Sequence, residues 1–433
     1  MDSNSDTSTK VVSSPSEYSE VDSNMYQVWM LAISLAILQI GFGIITPIFP
    51  FYIVELGVGG TELGVLAASF ALTRILLAGP LGQSSDRFGR KPIMVVALFG
   101  FAMANLIYAM AETVWVMIVA RALEGAISAG FFPAANAFVS DMTTPENRGT
   151  AMGYLSMGNM VGFIIGPALG GVLAQYLGIR MPFVIAAVVT LFTLLVLYIL
   201  VQEPKRKTPL EEYKIYRTPL REVFSKQSRP YSILAFAMFT NMFAIGILEV
   251  AFMLDAVQRF SISPIEIGLF FGVIGIVSII GNVVFGRLSD KLGRKWLIVL
   301  GSIIGGISLV MFMVTTDTLG ILVAGGVLAI GMSMRGPSIQ AMIADLTDQS
   351  AYGSVMGAFG AVSNAAYVIG PILSGRLYDD SGDAISSLGI GGLVTFLAAF
   401  VTAAGLPNYI LSSKEVHTVE SSSAESPEEA ILE

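Results

Sequence analysis

Long apolar runs alternate with short polar gaps over most of this chain. Runs lie near residues 27–51, 62–83, 92–111, 114–138, 150–175 and 182–202, and again near 231–254, 265–286, 296–316, 319–343, 353–377 and 387–411. Each holds about 20 residues or more, enough for a helix to cross a ~30 Å hydrocarbon core. The runs are continuously apolar, whereas barrel strands alternate apolar and polar positions over about ten residues. The pattern therefore predicts an all-α membrane protein with twelve transmembrane helices, six in each half. Residues 1–25 are polar and lack the charged start and cleavage pattern of a signal peptide, so the first run is read as an uncleaved span.

The two halves repeat each other. Gly82-Gln-Ser-Ser-Asp86-Arg87-Phe-Gly89-Arg90-Lys91 returns 204 residues later as Gly286-Arg-Leu-Ser-Asp290-Lys291-Leu-Gly293-Arg294-Lys295, with six of ten positions identical. The same offset carries Glu62-Leu-Gly64 onto Glu266-Ile-Gly268, Asp141 onto Asp345, Met152-Gly153 onto Met356-Gly357, and Gly166-Pro167 onto Gly370-Pro371. A period this long excludes a solenoid and predicts two six-helix bundles related by internal duplication. The expected organisation is a polar tail (1–25), a first bundle (26–202), a linker (203–230), a second bundle (231–411) and an acidic tail (412–433). Both tails read as disordered, and the basic, aromatic-bearing linker as short amphipathic helices on a membrane surface.

Composition agrees: 54% of residues are hydrophobic and 13% charged. The net charge of −8 resides in the tails, which together hold eleven acids and two lysines. With the N-terminus placed in the cytoplasm, inside loops hold 16 of the 24 Lys and Arg and outside loops hold three. Positive residues stay inside, so both termini are expected to be cytoplasmic, in the plasma membrane of the cell. Dispersed turn charges give no nucleic-acid footprint. There is no Cys, the only histidine is His417 in the tail, and no G-x-x-x-x-G-K-[ST] occurs. Thiolate chemistry, a His-based triad or metal site in the membrane body, and a nucleotide loop are thereby excluded, and no cofactor is expected.

Chemistry must come from the few polar groups inside the spans. Arg121 and Glu124 lie three apart on one helix face and can neutralise each other. A buried pair that only fixes packing is one reading; a titratable carboxylate coupled to transport is the other. Glu249 is a second candidate proton carrier, or else a residue at the outer interface. Gln39, Arg74, Asn241 and Arg335 are candidate polar contacts in a central cavity, where intramembrane polar groups normally face. In the repeated turn, Gly82 permits close helix approach and Asp86 can accept from a helix N-terminus. Repeat logic pairs Arg90 with Asp141 and, in the second half, Arg294 with Asp345, with Asp290 in the place of Asp86. Gly153, Gly162, Gly166-Pro167 and Gly170-Gly171 give one span a small-residue face for close packing.

Twelve duplicated spans with G-x-x-x-D-R-x-G-R-K after the second resemble the major facilitator superfamily. Arg121 and Gly125 match its span 4 motif, and the pattern from Gly153 to Gly171 is similar to that of its drug:proton antiporter branch. The resemblance implies two bundles rocking about a central site. It also implies a gating role for the turn (Gly82, Asp86, Arg87, Gly89, Arg90), with Asp86 meeting the N-terminus of span 11 when the protein faces outward, and Arg121 taking part in proton transfer. Three departures stand out: Ser84 where an apolar residue is usual, Glu124 where Gln is common, and no acid in span 1 before Glu55. The coupling acid is therefore expected at Glu124 or Glu249. The resulting expectation is a proton-coupled exporter of small apolar or cationic compounds, functional as a monomer, whose partners are its substrate, protons and the bilayer. An exporter of one metabolite, such as a sugar, amino acid or siderophore, and a transport-inactive sensor are the alternatives.

Overall fold

A computed structural model describes residues 15–204, 228–348 and 351–406. Residues 15–25, expected as part of a disordered tail, are instead helical and run into the first span in one helix, Pro15–Ile45; the rest of that tail, the acidic tail and residues 205–227 of the linker lie outside the described residues. Among the described residues twelve helices are long and apolar enough to cross a membrane: α1 (Met25–Glu55), α2 (Gly60–Phe88), α3 (Arg90–Ala109), α4 (Val114–Met142), α5 (Asn147–Leu177) and α6 (Met181–Leu200) in the first half. The second half holds α7 (Ser228–Gln258), α8 (Pro264–Ser289), α9 (Arg294–Val314), α10 (Thr318–Leu346), α11 (Tyr352–Ser381) and α12 (Ile385–Gly405). The chain is a multi-pass membrane protein, and no strand occurs among the described residues.

The repeated sequence signals become repeated end geometry. Glu266 accepts from the backbone N–H and hydroxyl of Ser263 at 2.8 Å, and Ser263 Oγ accepts from the Glu266 N–H at 3.3 Å, a capping box at the start of α8. Glu62 likewise accepts from the Gly59 N–H at 3.2 Å at the start of α2. Gly89 and Gly293 end α2 and α8 and begin the next helix with φ of 107° and 87°, a region hostile to residues with a Cβ. That backbone is why Gly-Arg-Lys recurs.

Within the first half α1 packs on α5 and α6, α2 on α4, and α3 on α4 and α6; in the second α7 packs on α11 and α12, and α9 and α10 pack on each other. The glycine series of α5 finds its partner here. A Cβ on Gly162 would lie 2.7 Å from the Ala36 carbonyl oxygen, and one on Gly170 would lie 2.0 Å from that of Ile44, so the series seats α5 against α1. Gly153 meets nothing within 4 Å.

The halves meet along two seams, α2 with α11 and α5 with α8. At the end away from the repeated turns both seams are tight: a Cβ on Gly64 would lie 2.4 Å from the Pro371 carbonyl oxygen, and one on Gly171 2.3 Å from that of Pro264. Towards the repeated turns Gly79, Gly82, Gly286, Gly353 and Gly357 meet nothing within 4 Å. The bundle is closed at one end and splayed at the basic end.

Candidate functional site

Helix α4 carries Arg121 and Glu124 into the interior, 4% and 0% exposed. Arg121 Nη1 donates to Glu124 Oε2 at 3.0 Å, as the three-residue spacing allows. Tyr108, from α3, donates its hydroxyl to the same oxygen at 3.0 Å. Three rings close over the guanidinium, Phe42 at 5.5 Å, Phe49 at 5.0 Å and Phe70 at 4.8 Å from the Arg121 Cζ. Such contacts gain most when desolvated. Glu124 Oε1 and Arg121 Nε have no hydrogen-bond partner among the described residues. Gly125 makes this approach possible, because a Cβ there would lie 2.2 Å from the Phe70 carbonyl oxygen.

Glu249 does not lie on the lipid-facing surface. It sits in a five-residue π-helical turn of α7, Leu248–Phe252, a device that shifts helical register and recurs at functional sites. Tyr367 of α11 donates its hydroxyl to it. Glu249 and Arg121 line one cavity of about 20 Å³, shared with Phe49 and Leu63 from the first half and Met253 and Phe271 from the second. That is room for about one water molecule. A carboxylate and a guanidinium from opposite halves thus face the same small cavity at the closed end of the seam. The break in α1 at the 3₁₀ turn Thr46–Ile48, beside Pro47 and Pro50, forms part of the wall.

The other candidates fall in different places. Arg335 is 2% exposed and donates from Nη2 to the Asn241 Oδ1. Asn241 also lines a larger cavity of about 400 Å³ between α7, α8 and α10. Gln39 is half-buried, and a Cβ on Gly162 would lie 2.3 Å from its own Cβ, so it belongs to the α1–α5 seat. Arg74 is half-buried on α2 and lines neither cavity.

At the basic end Arg90 Nε donates to Asp141 at 3.2 Å and its Nη1 to Asp86 at 2.5 Å. In the second half Arg294 pairs with Asp345 and also donates to the Ala341 carbonyl. The side chain of Asp290 lies outside the described set. Arg87 lies over the ring of Phe88, 5.4 Å from its centroid, apart from the Arg90 pairs. Glu203 accepts from the backbone N–H of Arg90 at 2.7 Å and of Lys91 at 2.8 Å, capping α3 from the far side of the half.

Sequence reasoning missed Tyr108 and Tyr367, which resemble any buried tyrosine until the fold sets them beside an acid. It also missed Asp379. That carboxylate, near the end of α11, accepts from Gly60 N at 2.6 Å, Thr61 N at 2.8 Å and the Thr61 hydroxyl at 2.6 Å, and so caps α2 across the seam. The residue 204 positions earlier is Gln175, so a search for repeated acids passes over it.

Comparison with known proteins follows the same lines. The Major Facilitator Superfamily profile matches residues 31–254 and 234–426. Multidrug resistance protein 1 of Bacillus subtilis is 30% identical over 354 residues, covering 81% of this chain and 89% of that protein. Tetracycline resistance protein, class H, of Pasteurella multocida is 30% identical over 354 residues, covering 79% and 86%. Quinolone resistance protein NorA of Staphylococcus aureus is 24% identical, covering 82% and 90%. Among solved structures, a bacterial homologue of the human lysosomal transporter Spinster, inward-facing and occupied, superposes with a TM-score of 0.76 at 18% identity, covering 89% and 97%. The chain belongs to the major facilitator superfamily, on the branch that holds multidrug, tetracycline and quinolone resistance transporters.

Proposed function

We propose that this transporter is a proton-coupled antiporter of the plasma membrane that exports small apolar or cationic compounds by alternating access, working as a monomer with both termini in the cytoplasm. The observation that carries the reading is the small cavity at the closed end of the seam that Glu249 and Arg121 line from opposite halves. A buried carboxylate is costly unless it is paired or protonated. While Glu249 is ionised it attracts Arg121 and holds the two halves together at that end. A cationic substrate entering from the splayed basic end competes for the Glu249 carboxylate, releases Arg121 and loosens the closure. Protonation of Glu249 from the other side displaces the substrate, and loss of that proton on the basic side resets the cycle.

Glu124 keeps Arg121 placed and, with its free Oε1, offers a second protonation point. The basic-end pairs, Arg90 with Asp141 and Arg294 with Asp345, hold the turn geometry of each half as the halves separate. With positive residues facing the cytoplasm, the splayed end is the cytoplasmic one and the conformation is inward-facing. The names of three relatives, the multidrug, tetracycline and quinolone resistance proteins, support the efflux direction. The test is uptake of radiolabelled tetraphenylphosphonium into proteoliposomes under an imposed pH gradient. Uptake is expected to fall to the protein-free level in Glu249→Gln; gradient-driven uptake that survives Glu124→Gln, Glu249→Gln and their combination would end this reading.

A further inference from the structure

The larger cavity poses a separate question. It lies between α7, α8 and α10, encloses about 400 Å³ and is lined by Asn241, Ser278, Asn282, Ser333 and Gln340 among methionines. No carboxylate lines it. Arg335 stands behind its wall, 2% exposed, and donates to the Asn241 Oδ1. Its Nε and Nη1 have no hydrogen-bond partner, and it joins no ion pair among the described residues. A buried guanidinium carries five donors and always its charge, so leaving it unpaired is expensive. By contrast Arg121, on the other half, has Glu124 beside it.

Two consequences follow from this arrangement. Arg335 holds the carbonyl oxygen of Asn241 towards itself, which leaves both amide N–H donors free for the cavity that Asn241 lines. The uncompensated positive charge behind it then favours an acceptor that is itself negative. The methionines supply adaptable apolar surface for an aromatic or aliphatic body. On α7, Asn241 lies eight residues from Glu249, about 12 Å along a helix axis.

We propose that the α7–α8–α10 cavity is an anion-binding subsite, in which Asn241 backed by Arg335 takes a carboxylate of the substrate, so that preferred substrates are amphoteric: a cationic group towards Glu249 and an acidic group towards Asn241. This rests on the antiport reading and narrows its substrate class. Lone lipophilic cations would use the Glu249 end alone.

The test uses full-length protein in detergent, with binding read by displacement of tritiated tetraphenylphosphonium. Two probes are compared, an amino-substituted naphthoic acid and its methyl ester, which differ only in the negative charge. Wild type is expected to bind the acid at least about tenfold more tightly than the ester, in line with a charge-assisted hydrogen bond. In Arg335→Gln that ratio is expected to fall to near one, while the ester and tetraphenylphosphonium bind as in wild type; Arg335→Lys should restore part of the preference. Equal affinity of acid and ester for wild type overturns the subsite without any variant, and so does an acid preference that persists in Arg335→Gln. Should Arg335→Gln fail to fold, Asn241→Leu, which removes the donor and leaves the arginine, is expected to abolish the preference, and an undiminished preference counts against the proposal. Loss of tetraphenylphosphonium binding in Glu249→Gln reports on the antiport reading separately.

Discussion

Asp379 offers the sharpest test of how the closed end is held. Its carboxylate makes three hydrogen bonds of 2.6–2.8 Å to the first turn of α2, joining the last turn of α11 in one half to the start of α2 in the other. Two of the donors are backbone N–H groups of a helix start, where the helix dipole also favours an anion. A hydrogen bond to a charged group contributes about 1.5–3 kcal/mol when protected from water. Asp379 and Thr61 are water-exposed or nearly so, and screening reduces the sum to about 1–2 kcal/mol. Once the halves separate here the bonds are gone, so nearly all of that energy belongs to one conformation. Asp379→Ala should therefore move the equilibrium towards the form open at this end by roughly 5- to 30-fold. The chain has no cysteine, so spin labels can be placed at will. Labels at Glu112→Cys and Thr316→Cys, exposed at this end of opposite halves, report the separation by double electron–electron resonance. A longer distance population should grow in Asp379→Ala and less in Asp379→Asn. Identical distance distributions in the variants and the parent would refute the idea that this cap biases the two states.

Three further outcomes are expected. Gly64→Ala, which drives a methyl group into the Pro371 carbonyl, should also populate the form open at this end, whereas Gly353→Ala, at the splayed end, should leave the same labels unmoved. Ser263→Ala removes the cap of α8 and should lower stability by about 1 kcal/mol, read as a fall of a few degrees in the unfolding midpoint in detergent. Tyr367→Phe removes the donor to Glu249 without changing its volume much and should alter the pH dependence of cation binding, while Phe359→Tyr, buried elsewhere on α11, should not.

Twelve helices and the duplication were legible because lipid enforces them: the hydrophobic runs must match the bilayer, and a repeated Gly with positive φ or a repeated capping Glu leaves the same letters twice. Arg121 and Glu124 were legible as a pair because three-residue spacing on a helix fixes their face. What could not be read was anything made between distant spans. Glu249 acquires its meaning from a π-helical turn and from Arg121 on the other half, neither of which leaves a local pattern. Arg74 and Arg335 look alike in sequence, each a lone arginine mid-span, yet one lines neither described cavity and the other is tied to Asn241 beside the larger of the two. Asp379 was invisible for the opposite reason, since its role has no counterpart in the repeat.

The account turns on one carboxylate shared between substrate and proton. The most direct measurement is of protons released when tetraphenylphosphonium binds to purified protein in weakly buffered solution, followed with a pH-sensitive dye. Binding is expected to release protons in wild type and none in Glu249→Gln; saturable binding to wild type with no release at any pH at which it binds would contradict the central claim.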